Sequence, residues 1–287
     1  MIFKFCPPSE YSLDNLRMAS LFCRHFEDFN DPFEFWSSFA EGAPDSSEPE
    51  RLASALAAWG FPDPSTAEPY DEYFESLADG QPAFAARMNR MRIACLASDS
   101  TNLLMWSHYA DGLRGFCIGF DEQVLVDGSD QAYLTHVEYL DKPPAVDNFL
   151  FAVAADQYDF HMAAIAERPR NEAYLGPDPI TDTAYKAVAD ESMDLMKTLW
   201  RQAFAVKPRE WQYEGEHRLL IETDAGDKSP ILHRYPREAV RQIIVGERMP
   251  GTYRSQLVEL ATREFPEARV LMAVRSKSSF AISFEDV

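Results

Sequence analysis

The sequence lacks most of the patterns that mark well-known catalytic and metal sites. It has four cysteines in 287 residues, and no two are spaced C-x-x-C, so neither a zinc knuckle nor a redox dithiol is indicated. It contains no G-x-x-x-x-G-K-[ST], G-x-G-x-x-G, H-E-x-x-H or G-x-S-x-G motif. Most kinase and hydrolase classes are therefore unsupported. The six histidines are scattered, and we predict no metal site.

The chain also has little positive charge and no long apolar run. Its formal net charge is −20, from 27 basic and 47 acidic residues. An acidic surface repels phosphate backbones, so general nucleic-acid binding is not expected. No run is as long as a membrane span, so no membrane association is predicted. The sparse cysteines fit reduced thiols, and we expect a cytoplasmic protein.

The acidic excess is uneven along the chain. Residues 1–196 carry a balance of −22, whereas residues 197–287 carry +2. An anion-binding site in the last third of the chain is therefore compatible with the acidic total.

Apolar patterning indicates a globular protein with a mixed fold. Hydrophobic residues make up 46% and aromatic residues 13% of the chain, which is ample for a core. Strands are predicted at 2–5, 21–23, 93–97, 115–120, 134–139, 216–223, 242–245, 270–274 and 280–284, and helices within 37–92 and at 101–110, 147–166, 181–206 and 252–265. The two types do not alternate regularly, so we expect an α+β fold with an antiparallel-rich sheet core. We expect a single domain over residues 1–287, with helical insertions about 37–92 and 143–206.

The first segment with chemical potential is residues 29–34, FNDPFE. Asn30 and Asp31 offer donors and acceptors beside two aromatic rings, which suits ligand binding. The alternative is an ordinary turn, in which Asp31 accepts from nearby amides and Phe33 is buried. The sequence leaves both readings open.

The second segment is residues 103–112, LLMWSHYADG. On a helix, Leu103 and Trp106 share a core-like face, while Ser107, His108 and Asp111 lie together on another. Packing explains the aromatic residues but not this polar trio, in which an Asp can hold a His in one tautomer. A site at His108 and a simple His–Asp pair are both compatible with the pattern.

The third segment is residues 211–221, WQYEGEHRLLI. In a strand, Glu214, Glu216 and Arg218 would point to one face. Two carboxylates two residues apart repel, so the pKa of one rises unless a cation such as Arg218 compensates. This arrangement suits an acid/base pair or a clamp on ribose hydroxyls. A solvated strand face with an ordinary ion pair is the alternative.

Taken together and in this order, the segments resemble a bacterial family known as domain of unknown function 2971. The resemblance includes Phe3-Lys4-Phe5, the Asn-Asp-Pro-Phe-Glu turn, residues 95–97, 104–111 and 115–120, and W-x-Y-E-x-E-x-R at 211–218. It extends through most of the chain, with 37–92 and 143–200 as variable parts. The family name implies no activity.

The same order is similar, at the level of the fold, to ADP-ribosyltransferases. That resemblance implies an NAD-binding cleft with a basic group on the first strand, aromatic rings around the nicotinamide and a glutamate at the ribose. Carried over, Lys4 is the first-strand contact, Trp106 and Tyr109 are the aromatic elements, and Glu216 is the catalytic carboxylate with Glu214 as its partner. The implied pocket also takes in His108, Arg218, Asn30 and Asp31.

We therefore expect an NAD-consuming ADP-ribosyltransferase-like enzyme, such as a bacterial toxin or defence effector. NAD would be its substrate, its acceptor is left open, and a cognate antitoxin or immunity protein is a possible partner. The alternative is a non-catalytic sensor that binds a nucleotide or small metabolite in the same pocket. A third hypothesis is a metal-dependent phosphodiesterase or nuclease that uses Asp31, Glu34, Glu214 and Glu216.

Overall fold

The computed structural model describes residues 1–61, 70–80, 84–127, 132–176, 179–224 and 227–287. Its strands are β1 (Ile2–Cys6), β2 (Ser20–Cys23), β3 (Ser38–Ala40), β4 (Met91–Ala97), β5 (Phe116–Phe120), β6 (Ala132–His136), β7 (Glu138–Leu140), β8 (Ala145–Asp147), β9 (Val206–Pro208), β10 (Glu216–Glu222), β11 (Ile231–Arg234), β12 (Val240–Gly246), β13 (Arg269–Arg275) and β14 (Ile282–Asp286). Its helices are α1 (Glu10–Arg17), α2 (Pro49–Trp59), α3 (Asp71–Gly80), α4 (Phe84–Arg90), α5 (Leu103–His108), α6 (Glu122–Val126), α7 (Asn148–Leu175), α8 (Pro179–Phe204) and α9 (Gly251–Glu264). Short 3₁₀ helices lie at Phe26–Asp28, Arg209–Glu214 and Arg237–Ala239.

The chain divides into two compact units, each made of separate stretches of sequence. Unit 1 comprises residues 1–34, 89–141 and 207–287, and unit 2 comprises residues 35–88 and 142–206. The stretches of unit 2 fall on the two predicted helical insertions. The single-domain organisation stays a prediction.

Unit 1 is built on an eight-stranded sheet with the order β14-β13-β12-β5-β1-β4-β10-β6. Only β12 and β13 pair in parallel, and the other neighbours in this sheet are antiparallel. The predicted α+β class with an antiparallel-rich sheet is therefore confirmed. The first strand lies inside the sheet, between β4 and β5.

Each face of this sheet is covered by its own apolar core. One core includes Ile2 of β1, Leu13 of α1 and Leu257 of α9. The other includes Phe3 and Trp106, so α5 lies on the opposite face from α1 and α9. Side chains alternate between faces along a strand, which is why neighbouring residues of β1 belong to different cores.

Unit 2 is mainly helical. Its core joins Leu56 of α2, Phe74 of α3 and Phe149 of α7, and α7 runs beside α8, with Phe151 in contact with Trp200. Strands β3 and β8 form a short parallel pair. Within the described residues, no helix has the length and apolarity that crossing a membrane requires.

Several local predictions are wrong in detail. The helix that follows β4 begins after Asn102, whose side chain accepts from two backbone amides, and ends at His108 instead of residue 110. The predicted strand 134–139 is two strands, β6 and β7. Helix α7 continues past Pro169, where the sequence favoured a proline-rich break. The prolines at 62, 64 and 69 lie outside the described residues.

Candidate functional site

A buried cluster of charged side chains lies in unit 1, centred on Lys207. Its Nζ lies 2.7 Å from Oε2 of Glu214, 3.0 Å from Oε2 of Glu216 and 3.3 Å from Oε1 of Glu34. The side chain of each glutamate is no more than 4% exposed. One ammonium group thus joins carboxylates from two segments that are far apart in sequence.

Arg218 is the second cation of the cluster. Its Nε donates to Oε1 of Glu216 at 2.9 Å, and its Nη2 donates to Oε2 of Glu34 at 2.5 Å. The side chain is fully buried. Three carboxylates therefore share two cations, and each oxygen of Glu216 has a charged partner. Buried charges persist only when they are paired in this way.

The local backbone explains how both members of the E-x-E pair reach the cluster. Glu214 ends a 3₁₀ helix, Gly215 follows with φ of +51°, and Glu216 begins β10. The prediction that Glu214 lies in the strand is therefore wrong. Glycine has no Cβ and therefore adopts this positive φ at little cost. The resulting left-handed turn lets Glu214, which lies outside the sheet, reach Lys207.

Tyr109 connects the cluster to the surface. It follows the last residue of α5, is 37% exposed, and its hydroxyl donates to Oε1 of Glu214 at 2.6 Å. The side-chain amide of Asn102, the N-cap of α5, donates to the backbone carbonyl of Tyr213. Both ends of the helix are thus tied to the 209–214 segment. A third distant segment therefore meets the same cluster.

The pKa values of two carboxylates in the cluster are shifted in opposite directions. Burial raises the pKa of Glu216, but Arg218 and Lys207 outweigh burial and lower that pKa to about 2. For Glu34, burial outweighs Arg218 and Lys207, so its pKa is raised. Environments that separate the pKa values of adjacent carboxylates are typical of acid/base sites, and structural ion pairs also produce them.

The aromatic and amine members of the cluster hold their protons tightly. Burial raises the pKa of Tyr109, and the hydrogen bond to Glu214 adds to the effect. Burial lowers the pKa of Lys207, but the attraction of Glu216, Glu34 and Glu214 outweighs burial and raises it. Tyr109 therefore acts as a neutral hydrogen-bond donor and Lys207 as a fixed cation.

Aromatic rings lie beside the charged cluster. The Nζ of Lys207 is 4.9 Å from the ring centroid of Trp211, and the Trp211 and Tyr213 rings are 6.0 Å apart. The imidazole of His108 is 6.5 Å from the Tyr213 ring. Trp211 and Tyr213 are half-buried and His108 is exposed. The rings present partly accessible surfaces on which a flat heterocycle can stack.

Lys4, predicted as the first-strand contact, does not join this cluster. Phe3 pairs with Ala97, and Ala97 pairs with Glu216, so these three side chains share one face of the sheet. Lys4 is the next residue and leaves from the opposite face. Its ammonium donates to the backbone carbonyl of Cys95 at 2.8 Å.

Trp106 does not line the predicted pocket, whereas His108 lies near the Tyr213 ring. Trp106 is only 1% exposed, its Nε1 donates to the carbonyl of Ser100 at 2.7 Å, and its ring packs against Phe5. It is a core residue. The proposed bond between His108 and Asp111 does not form, because Asp111 pairs with Arg114 at 3.3 Å.

The turn at residues 29–34 combines a structural role with an unsatisfied atom. Oδ1 of Asp31 accepts from the amide of Phe33 at 2.9 Å, as expected for a turn. Oδ2 of Asp31 is buried and has no hydrogen-bond partner in the described part of the chain. Asn30 and Phe33 are exposed. Asp31 is thus the ligand-binding candidate of this pair, and Asn30 lies at the surface.

The sequence gives little indication of the central role of Lys207. A lysine between Val206 and Pro208, directly after a long helix, is a weak signal of burial. Glu34 was linked to the site only through the metal hypothesis. In the structure, the ammonium of Lys207 lies at the point where three carboxylates converge.

The fold and the site together define an α+β protein with a buried cluster of three glutamates, a lysine and an arginine beside the partly exposed rings of Trp211 and Tyr213. Residues 105–219 match the model of a family described as protein of unknown function (DUF2971). The matched range contains Tyr109, Lys207, Glu214, Glu216 and Arg218, and it supports the resemblance to that family. The N-terminal strand and the 29–34 turn lie outside the match. No curated protein and no solved structure matches the chain.

Proposed function

We propose that the chain is an NAD-consuming enzyme of the ADP-ribosyltransferase type, with its reacting centre at the Glu214–Tyr109 end of the buried cluster. The supporting observation is the continuous series of hydrogen bonds and ion pairs from Tyr109 through Glu214, Lys207 and Glu216 to Arg218 and Glu34. The segments 29–34, 103–112 and 211–221 therefore each contribute a side chain to this series.

The order of the strands gives further support. The resemblance rests on a first strand, a middle strand that leads to an aromatic-bearing helix, and a later strand opened by a glutamate. These are β1, β4 and β10, which are consecutive neighbours in the sheet. Helix α5 follows β4, and Glu216 is the first residue of β10. Elements far apart in sequence are thus adjacent in the interior of one sheet.

Glu216 and Glu214 have different roles in this proposal. Glu216 is held ionised between Arg218 and Lys207 and acts as a positioning residue. We assign the catalytic role to Glu214, in place of the Glu216 that the resemblance implied, because its Oε1 is bonded to the partly exposed hydroxyl of Tyr109. That hydroxyl occupies the place that a ribose hydroxyl takes when substrate binds. A sugar hydroxyl can displace a phenol hydroxyl from a carboxylate without leaving a buried charge unpaired.

The chemistry requires stabilisation of positive charge. When the bond between nicotinamide and ribose breaks, its electron pair leaves with the nicotinamide nitrogen and C1′ of the ribose becomes an oxocarbenium centre. Glu214 stabilises that charge more than the ground state, which lowers the barrier. The acceptor then adds to C1′ and loses a proton, and water serves as acceptor in the absence of another. The rings of Tyr109, Trp211 and Tyr213 provide stacking surfaces for the departing heterocycle.

Release of free nicotinamide from NAD tests the proposal. The Glu214→Gln variant is expected to lose on the order of hundredfold or more in rate with a native circular dichroism spectrum. Glu222→Gln is the matched control, because Glu222 lies at the end of β10 at a half-exposed position beside Arg90, and it should retain the full rate. If the wild-type protein releases no nicotinamide, or if Glu214→Gln retains full activity, the proposal is wrong.

One observation favours a second candidate, a nucleotide- or metabolite-binding sensor. Both oxygens of Glu216 and both oxygens of Glu214 already have partners, which is typical of a structural ion-pair cluster. A sensor would be stabilised against heat by NAD or a related nucleotide without releasing nicotinamide. Thermal shift and nicotinamide release on the same preparation separate the two functions.

A further inference from the structure

A pair of arginines follows the end of α5, outside the buried cluster. Nη1 of Arg114 donates to the carbonyl of Asp111 at 3.1 Å, and Nη1 of Arg248 donates to the carbonyl of Gly112 at 3.1 Å. A Cβ placed on Gly112 would have both Nη1 atoms within 4 Å. Two guanidinium groups that are 134 residues apart in sequence therefore converge on one glycine.

The backbone between them is held in an unusual conformation. Asp111, Gly112 and Leu113 all have positive φ, of 48°, 59° and 68°. The carbonyl of Leu113 accepts from the amide of Arg248 at 3.0 Å. This bond and the Arg248 side chain fix the turn to the segment after β12. The turn thus presents two successive carbonyls, each bonded to a different guanidinium.

Both arginines keep most of their donors available. A guanidinium carries five N–H groups, and in the described part of the chain the hydrogen bonds of Arg114 and Arg248 use Nη1 alone. Both side chains are exposed. Their Nε and Nη2 groups make no hydrogen bond within the described residues, so they can form the parallel two-point bonds that guanidinium makes with phosphate oxygens.

Four other cations of unit 1 are already engaged elsewhere. Lys207 and Arg218 are enclosed by glutamates, Arg209 pairs with Asp141 at 2.9 Å, and Lys4 leaves the opposite face of the sheet. A substrate that carries a diphosphate must be neutralised by other groups in a chain of net charge −20. Arg209 and Arg114 each pair with one aspartate, but Arg114 has a second guanidinium beside it, that of Arg248 at Gly112.

We propose that Arg114 and Arg248 form a diphosphate-binding site, with one guanidinium for each phosphate group. The identity of the ligand as the diphosphate of a dinucleotide rests on the proposed function, whereas the anion site itself does not. Gly112 is three residues after Tyr109, so the Cα atoms of these two residues are at most about 11 Å apart. Ala110 and Leu113 pack in the same core as Trp106, so the arginines lie on the same side of the sheet as α5.

Calorimetric titration with inorganic pyrophosphate at low ionic strength tests the site. Wild-type protein is expected to bind pyrophosphate at least about tenfold more tightly than inorganic phosphate, since two guanidiniums contact the larger anion. Binding should weaken with added salt, because both arginines are exposed. The Arg114→Gln/Arg248→Gln double variant should bind at least about a hundredfold more weakly.

Two further variants make the result decisive. Arg269→Gln is the matched control, since Arg269 is an exposed arginine that pairs with Asp286 in the C-terminal hairpin, and it should bind as the wild type does. Arg114→Lys/Arg248→Lys keeps both charges but loses the two-point geometry, and it should bind with intermediate affinity. Circular dichroism shows whether each variant is folded. If the double glutamine variant does not fold, the lysine variant decides in its place, and wild-type affinity there counts against the site.

The anion site fails if wild-type protein does not bind pyrophosphate, or if either double variant binds as tightly as the Arg269→Gln control. Its failure is distinct from failure of the proposed enzyme. Pyrophosphate binding without nicotinamide release would keep the arginine site and overturn the enzyme. Nicotinamide release that is unaffected in the double glutamine variant would keep the enzyme and overturn the assignment of the arginine site to the diphosphate of its substrate.

Discussion

The hydroxyl of Tyr109 donates to Oε1 of Glu214 at 2.6 Å across 105 residues of sequence. This bond is where the buried charged cluster reaches a partly exposed side chain. It joins α5 to the 3₁₀ helix before β10. Because its acceptor is a buried carboxylate, the bond has a consequence for stability that is independent of any activity.

The first prediction concerns this hydroxyl. Tyr109→Phe keeps the ring and leaves Oε1 of Glu214 without its donor, so the free energy of unfolding should fall by about 1–3 kcal/mol. Urea denaturation followed by circular dichroism measures the change. Tyr133→Phe is the control, since Tyr133 is an exposed tyrosine on β6 whose hydroxyl makes no hydrogen bond within the described residues, and it should change stability by less than about 0.5 kcal/mol. Equal losses in the two variants would contradict the importance of the bond.

The same variant has a kinetic consequence under the proposed function. If the Tyr109 hydroxyl occupies the position of a ribose hydroxyl, its removal frees Glu214 for the substrate. KM for NAD should then fall in Tyr109→Phe, while the ring still stacks. A rise in KM would instead indicate that the hydroxyl itself contacts the substrate.

The second prediction concerns pH and the two oppositely shifted glutamates. The folded-state pKa of Glu216 is lowered from 4.5 to about 2, so its ionised form stabilises the fold above pH 4.5, and this stabilisation is lost as pH falls toward 2. The difference in unfolding free energy between wild type and Glu216→Gln should therefore grow by about 3 kcal/mol from pH 2 to pH 4.5 and stay constant above that.

Glu34 should behave in the opposite way. Its folded-state pKa is raised above 4.5, so the stability linked to its protonated form is fully present below pH 4.5 and is lost as pH rises through the folded value. Glu34→Gln should therefore gain stability relative to wild type as pH rises above 4.5. Urea denaturation at a series of pH values measures both effects. Glu285→Gln reports the effect of removing one carboxylate from the acidic surface. If the unfolding free energies of Glu34→Gln and Glu216→Gln change with pH in the same way relative to wild type, the two pKa values are not shifted in opposite directions.

Much of the fold was predictable from the sequence because its apolar patterns are clear. Strands β1, β4, β5, β10, β12 and β13 fall on predicted apolar runs. The alternation in β10 was also correct from Glu216 onward, with Leu219 and Ile221 in one core and Arg218 leaving from the other face. The limits of elements were less predictable, since the helix predicted at 101–110 begins after the cap Asn102 and ends at His108.

The candidate site was only partly predictable, for a different reason. Period-two alternation placed Glu214 in a strand, whereas Gly215 breaks the strand at that point with a positive φ. Trp106 looked equally suitable for a core and for a pocket, and only the three-dimensional packing assigns it to the core. The face from which Lys4 leaves depends on strand pairing, which a single sequence does not contain.

The third prediction concerns Gly215, which separates the two glutamates of the cluster. It has φ of +51°, and a Cβ there would lie 2.3 Å from Oγ of Ser98. Gly215→Ala therefore introduces both backbone strain and a steric clash. Gly42→Ala is the matched control, because Gly42 has φ of +74° with nothing within 4 Å of its Cβ position. It should lose only the roughly 1–2 kcal/mol of a left-handed alanine.

Gly215→Ala should lose more stability than this control, since Ser98 must move. The Ser98→Ala/Gly215→Ala double variant removes the clashing oxygen and should recover to the loss seen in Gly42→Ala. Because Gly215 sets the direction of Glu214, a shift of this turn should also lower nicotinamide release in Gly215→Ala, whereas Gly42→Ala should leave it unchanged. Urea denaturation and the nicotinamide assay on the same preparations measure the two effects. If Gly215→Ala is no less stable than Gly42→Ala and retains full activity, the turn does not position Glu214.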